Sequence, residues 1–196
     1  MKPRVLLGLG NPGDLYDNTP HNMGAAAVRD WATRTGLAFE KGKGPFVWTS
    51  VRRGVRAVIP STFMNVCGIA VTSLLALMDL RPEDLLVVTD DVWLPLGRLR
   101  VRESGSDGGH NGLKSVAEAL GSEGYPRLRI GVGPVPDDVD WADYVLTRFP
   151  RELQATVDEA VASAAEALNL ILARGIAAAQ NSINRVDVPD EKNPEN

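Results

Sequence analysis

Arg4-Val5-Leu6-Leu7-Gly8-Leu9-Gly10-Asn11-Pro12-Gly13, followed after a short gap by Thr19-Pro20-His21-Asn22, decides how this chain is read. Arg4 to Leu9 is a short apolar run broken by glycine, which fits a strand buried on both faces of a sheet. Pro12-Gly13 then turns the chain. A helix begins near Thr19, where threonine is a good N-cap and proline a good first helical residue. Strand, tight turn and helix in that order open an α/β fold.

The same alternation continues outward. Val47 to Arg53 and Val55 to Ile59 flank Gly54 and read as paired strands, and Leu85 to Thr89, Arg98 to Arg102 and Leu128 to Val132 add more. Helical patterns occupy about 21–36, 66–78 and 112–120. A longer one runs from Arg151 to about Leu172 with Val157, Val161, Ala165 and Leu168 on one face, and a last one covers Ile176 to Ile183. The order predicts a single-domain three-layer α/β sandwich, with a twisted, mixed and mostly parallel sheet between helices on both faces. The domain is expected over 1–184, with 185–196 an acidic, disordered tail too poor in apolar residues to pack. Gly131 to Asp140, with Pro134 and Pro136, is the one linker-like stretch inside the domain. The site is expected where loops gather at the strand ends.

With 196 residues, 44% hydrophobic and 23% charged, the chain suits one compact core. No apolar run approaches the roughly 20 residues that span a bilayer, and no signal-peptide pattern opens the chain, so a cytoplasmic protein without a membrane partner is expected. A formal charge of −4 argues against a protein that coats nucleic acid but leaves room for a local basic face. Cys67 lies in an apolar helical pattern and reads as a buried, inert thiol.

Chemistry has to come from the loops. Gly8 to Gly13 satisfies G-x-G-x-x-G, but no helix opens within the glycines, and Asp30, at the spacing where a ribose-binding acid belongs, falls inside a helical pattern. No cofactor is therefore expected, and the loop is read as aiming Asn11 into a cleft. His21 falls in the first turn of a helix, where the dipole disfavours its protonation and keeps it able to accept a proton. The plain alternative is a polar residue satisfied near the surface. Asp107-Gly108-Gly109-His110-Asn111-Gly112-Leu113-Lys114 is a glycine-rich turn into another helix, able to offer N–H groups to a phosphate or oxyanion or to serve as a simple capped loop. Asn111 is either its cap or a ligand group, and Asn65 is open to the same two readings. Asp90 ends an apolar strand and is placed to orient a histidine; Asp91 reads as a solvated loop acid. Two histidines and one cysteine do not make a standard zinc cluster, so no metal is expected, and neither a serine elbow nor a P-loop is present.

Gly8 to Gly13, Tyr16 with His21-Asn22-Met23-Gly24, Pro60 to Asn65, Asp90-Asp91 with Leu94-Pro95, Gly108 to Lys114 and Arg127 to Gly131 together resemble the bacterial-type peptidyl-tRNA hydrolase family, over about residues 4–184. The resemblance implies hydrolysis of the ester between a peptide and the terminal ribose of tRNA by a cytoplasmic monomer, with no metal and no cofactor. It assigns His21 as the base, Asp90 as its orienting partner and Asn11 as the residue that tells a blocked amino group from a free one. Asn65 and Asn111 match residues that hold the peptide and the 3′ end. Tyr16 and Phe63, with Met64 between Phe63 and Asn65, match the lining of the tRNA cleft, and Gly108, Gly109 and His110 its rim. Arg100, Arg102, Lys114 and Arg129 match the surface for the acceptor stem. Pro20, Thr89, Trp93 and Ser106-Asp107 depart from the residues common in relatives, Trp93 standing in place of an acid. The rival readings are an RNA-binding module that has lost turnover and, further off, a nucleotide-dependent oxidoreductase.

Overall fold

The computed structural model describes residues 2–185; the expected acidic tail, apart from Arg185, lies outside the described residues. Strand β1 (Val5–Gly8) is buried along its whole length, as its unbroken apolar run requires. It lies between β4 (Arg56–Pro60) and β5 (Leu85–Pro95) and is parallel to both. Beyond β5 comes β7 (Arg127–Gly133), also parallel. Antiparallel strands extend both sides of this parallel centre. On one side β3 (Phe46–Thr49) pairs with β4 and β2 (Phe39–Lys41) with β3; on the other, β6 (Leu99–Arg102) pairs with β7. Among the described residues the result is one seven-stranded mixed sheet in the order β2-β3-β4-β1-β5-β7-β6.

Helices α1 (Met23–Arg34), α5 (Gln154–Arg174) and α6 (Ile176–Ile183) cover one face, packing Val28, Trp31, Leu168 and Ile171 against Leu6, Leu86, Val88 and Leu128. Helices α2 (Gly68–Met78) and α3 (Asn111–Leu120) cover the other, where Val71, Leu74, Leu113 and Val116 meet Val5, Leu7, Val58 and Val87. Alternate residues of each central strand feed the two cores, the period-two rule of a sheet covered on both sides. Burying each such side chain contributes about 1.5–3 kcal/mol.

Two local features set the site in place. A Cβ at Gly24 would run into the carbonyl oxygen of Val88, so only glycine lets α1 approach β5 this closely. That contact carries His21, just ahead of α1, toward the end of β5. The second feature is length. The strand expected to stop at Thr89 continues to Pro95, because β7 goes on beside it with Asp90 opposite Ile130 and Asp91 opposite Gly131. β1 ends at Gly8 opposite Val88, so Asp90 and Asp91 lie past it, in the crevice where the strand order reverses about β1.

The remaining differences from the sequence reading are small. β2 and the four-residue α4 (Trp141–Tyr144) are too short to show a period, and α4 falls directly after the linker-like stretch. α1 starts at Met23 after a 3-10 turn over Pro20–Asn22. Thr19 stands at the expected boundary but does not cap with its side chain; its hydroxyl donates to the Tyr16 carbonyl at 2.8 Å instead.

Candidate active site

Asp90 is buried and receives a histidine on each carboxylate oxygen. His21 Nδ1 donates to Oδ2 at 2.9 Å, and His110 Nε2 lies 2.9 Å from Oδ1. The His110 tautomer follows from the backbone. Its Nδ1 accepts from the N–H of Gly112 at 3.0 Å and of Leu113 at 3.2 Å, so the ring proton sits on Nε2. That proton lies between Asp90 Oδ1 and the Thr89 hydroxyl, 2.7 Å away. His110 is therefore the N-cap of α3, which leaves Asn111 as the first helical residue, exposed at the mouth of the site. For His21, with Nδ1–H held by Asp90, Nε2 is the nitrogen with a lone pair, and no hydrogen bond among the described residues ends on it. A buried histidine with one nitrogen fixed by a carboxylate and the other open is equipped to take a proton from water.

Electrostatics sharpen this. The helix start predicts that His21 resists protonation, but its pKa is raised above 6.5: burial lowers it, and the charge and hydrogen bond of Asp90 together exceed that effect. Asp90 itself is held well below the ordinary carboxylate range; burial pushes it up, and the two adjacent imidazoles outweigh the burial. The carboxylate thus stays charged and makes His21 a stronger base than a free imidazole. Cys67, buried against the Gly112 carbonyl, has its thiol pushed up to about 12, which suits an inert core residue.

Asn11 is locked from both ends. Its backbone N–H donates to Asn22 Oδ1 at 2.8 Å, Asn22 Nδ2 returns a bond to its carbonyl at 3.0 Å, and its own Oδ1 accepts the Met64 N–H at 2.8 Å. The amide orientation is therefore set, with Nδ2 the donor that remains. Met64 is a core residue that acts here through its backbone. Phe63 and Asn65 stay exposed beside it, and Tyr16 meets Phe63 edge to face at 6.2 Å.

Two arginines hold the carbonyl just ahead of the glycine-rich loop. Arg127 Nη1 and Arg129 Nη2 both donate to Ser106 O at 2.8 Å. Arg129 also pairs with Asp91 at 3.2 Å, and the other Asp91 oxygen accepts the Trp93 N–H at 2.9 Å. Asp91 is thus buried and paired rather than solvated, and Arg129 is a buried anchor rather than an open cation. Of the expected basic surface, Arg102 and Lys114 are exposed, while Arg100 is partly buried and engaged. Arg127 and Trp141 also belong to the site's framework and were not named as site residues from sequence. The signal for the arginines is their i, i+2 spacing in an otherwise apolar strand, which puts two charges on one buried face.

A cavity of about 150 Å³ opens beside His21, lined among others by Asp90, Trp93, Gly109, His110, Asn111 and Trp141. Ligand atoms of His21, Asp90 and His110 lie within 4.8 Å of one another, the spacing of a metal site. The donor set does not fit a cation. His110 Nε2 carries the proton that its N-cap role forces on it, and Asp90 already accepts from both rings, so a metal would have to displace the hydrogen bonds that build the site.

A histidine held by a buried carboxylate on one nitrogen and open on the other, at the carboxyl ends of parallel strands, is an arrangement compatible with a hydrolytic α/β enzyme. The comparisons narrow the class. A family model described as "Peptidyl-tRNA hydrolase" matches residues 5–193. The chain is 41% identical over 184 residues to a peptidyl-tRNA hydrolase of Chloroflexus aggregans, covering 92% of this chain and 98% of that one. It is 45% identical over 188 residues to one of a Synechococcus species, covering 94% and 84%. A crystal structure of the Arg119Gln mutant of the Acinetobacter baumannii peptidyl-tRNA hydrolase superposes with a TM-score of 0.86 at 30% identity, covering 94% of this chain and 95% of that one. This chain belongs to the peptidyl-tRNA hydrolase family.

Proposed function

We propose that this peptidyl-tRNA hydrolase cleaves its ester by general-base catalysis without a metal, His21 activating a water molecule. His21 Nε2 takes a proton from water as the oxygen adds to the ester carbonyl carbon. The tetrahedral intermediate then expels the 3′ ribose oxygen, and the imidazolium returns the proton to it. Asp90 keeps Nδ1–H in place and stabilises the imidazolium while it exists, and His110 with Thr89 holds Asp90. The Asn11 Nδ2 group donates to the substrate's acyl or peptide carbonyl, and Asn111 and Asn65 bind the substrate on either side. A positioned base of this kind contributes roughly 10²–10⁴-fold, enough for an activated ester. The observation that carries the reading is the 2.9 Å bond from His21 Nδ1 to a buried Asp90, with Nε2 left open.

The acceptor stem and CCA end are read as lying along Tyr16 and Phe63 and against the exposed Arg102 and Lys114, with Arg100 nearby, through contacts that do not depend on sequence. A cytoplasmic monomer is the state that the family resemblance implies and that we propose. No helix among the described residues is long and apolar enough to cross a membrane. The test is release of N-acetyl-amino acid from N-acetyl-aminoacyl-tRNA, beside the same tRNA carrying a free amino group. Cleavage of the blocked substrate alone is expected. Tight binding without cleavage would instead favour an RNA-binding module that has lost turnover.

A further inference from the structure

The cavity beside His21 contains more than the ester chemistry uses. Trp93 from β5 and Trp141 from α4 both line it, and they remain 56% and 44% exposed. Val92, Leu113, Ala142 and Val145 line it too. The six-membered edge of the Trp141 indole sits over Gly109, whose φ of 84° and missing Cβ leave room for it. Val145 in turn accepts the His21 N–H through its carbonyl at 3.0 Å, tying this wall to the catalytic base. Large aromatic surfaces left open on a concave wall suit an apolar guest.

Charge and size decide what the guest is. The titratable groups on the lining are His21, Asp90, Asp91, Asp107, His110 and Arg129, and Arg129 is already paired with Asp91. No lining cation is left to meet a phosphate, and Asp107 adds an acid. A nucleotide would bring its phosphates against these carboxylates, whereas an uncharged side chain meets no such opposition. The volume agrees: about 150 Å³ is roughly the size of a cavity that holds a benzene ring. Asn11, Tyr16, Phe63, Met64 and Asn65 are not among the lining residues, so a separate surface remains for the 3′ end.

We infer that Trp93 and Trp141 form the pocket for the side chain of the amino acid esterified to tRNA, giving the enzyme a preference for bulky apolar or aromatic residues over glycine and over acidic residues. The inference rests on the peptidyl-tRNA ester being the substrate. Both tryptophans act on specificity, and neither touches the reacting bond.

The test compares kcat/KM for N-acetyl-phenylalanyl, N-acetyl-glycyl and N-acetyl-aspartyl esters, all on the same tRNA body, for the unaltered enzyme and for Trp93→Ala, Trp93→Phe and Trp141→Phe. A single methylene in an apolar pocket is worth about tenfold or more, and a half-open pocket sits at the low end of what a larger side chain could give. The expected ratio of phenylalanyl to glycyl ester is therefore about ten, with the aspartyl ester the poorest. In Trp93→Ala the ratio falls toward one, and in Trp93→Phe much of it returns. Trp141→Phe, which keeps an aromatic ring over Gly109, lowers the ratio by a smaller factor. Equal rates across the panel, or variants that slow all three esters alike with the ratio unchanged, would overturn the inference. So would weaker inhibition of the variants by deacylated tRNA, which would assign the cavity to a nucleotide. Failure of the unaltered enzyme to cleave any of the three would overturn the hydrolase reading itself, and this inference with it.

Discussion

The two histidines stand in nearly the same situation and do different things. Each occurs at the start of a helix, each places a ring nitrogen 2.9 Å from Asp90, and their ring centroids are 4.8 Å apart. What separates them is how each meets its helix. His110 turns Nδ1 onto the N–H groups of Gly112 and Leu113, so its second nitrogen must carry the proton that holds Asp90. His21 points Nδ1 at Asp90 and keeps Nε2 unengaged among the described residues, its ring belonging to the cavity lining. A residue type at a helix start does not settle function; the nitrogen that the backbone engages does. One ring is fixed as structure, and the other keeps the open nitrogen on which its proposed role as base rests.

That asymmetry can be broken in a graded way. His21→Ala should lower single-turnover hydrolysis by roughly 10²–10⁴-fold, the full contribution of a general base, with deacylated tRNA still bound; a loss of only a few fold would mean that His21 is not the base. Asp90→Asn should cost a comparable factor, up to about 10⁴-fold, because the amide removes the charged partner and can hold His21 in the wrong tautomer. His110 separates scaffold from support. His110→Ala removes the cap of α3, worth about 1 kcal/mol, which corresponds to a drop of about 2–4 °C in Tm for a chain of this size. His110→Asn should restore the cap and the Tm while leaving kcat roughly 10–10²-fold low, the value of one lost hydrogen bond to a charged carboxylate. Calorimetry beside kinetics reads both, and full recovery of kcat in the asparagine variant would remove His110 from the mechanism. The smallest expected effect is none: a chelator should leave the rate unchanged, and a loss reversed by added metal would contradict the proton-sharing assignment of Asp90.

Much of this was legible from residue order. The buried run at Arg4 to Leu9 and the helical start near Thr19 match β1 and the turn that opens at Pro20, because short-range chemistry governs both. The mixed sheet with helices on both faces followed from the alternation of patterns. What was missed depends on partners far away in sequence. Asp91 looks like a loop acid until β7 brings Arg129 beside it, and the length of β5 cannot be known without β7. Arg129 looks like a surface cation for the same reason. His110 looks like a rim residue because its capping role depends on the ring turning inward, and the upward shift of His21 depends on an acid 69 positions away.

The most direct test of the central claim is the pH dependence of kcat/KM for the unaltered enzyme and Asp90→Asn, measured side by side. Catalysis needs His21 unprotonated, so the rate should rise with pH through an apparent pKa above 6.5 in the unaltered enzyme. Removing the Asp90 charge leaves burial, which lowers that pKa, so the acid limb should move to lower pH even as the maximum rate falls. A limb that stays in place, or moves to higher pH, would contradict the account of His21 as a base tuned by Asp90.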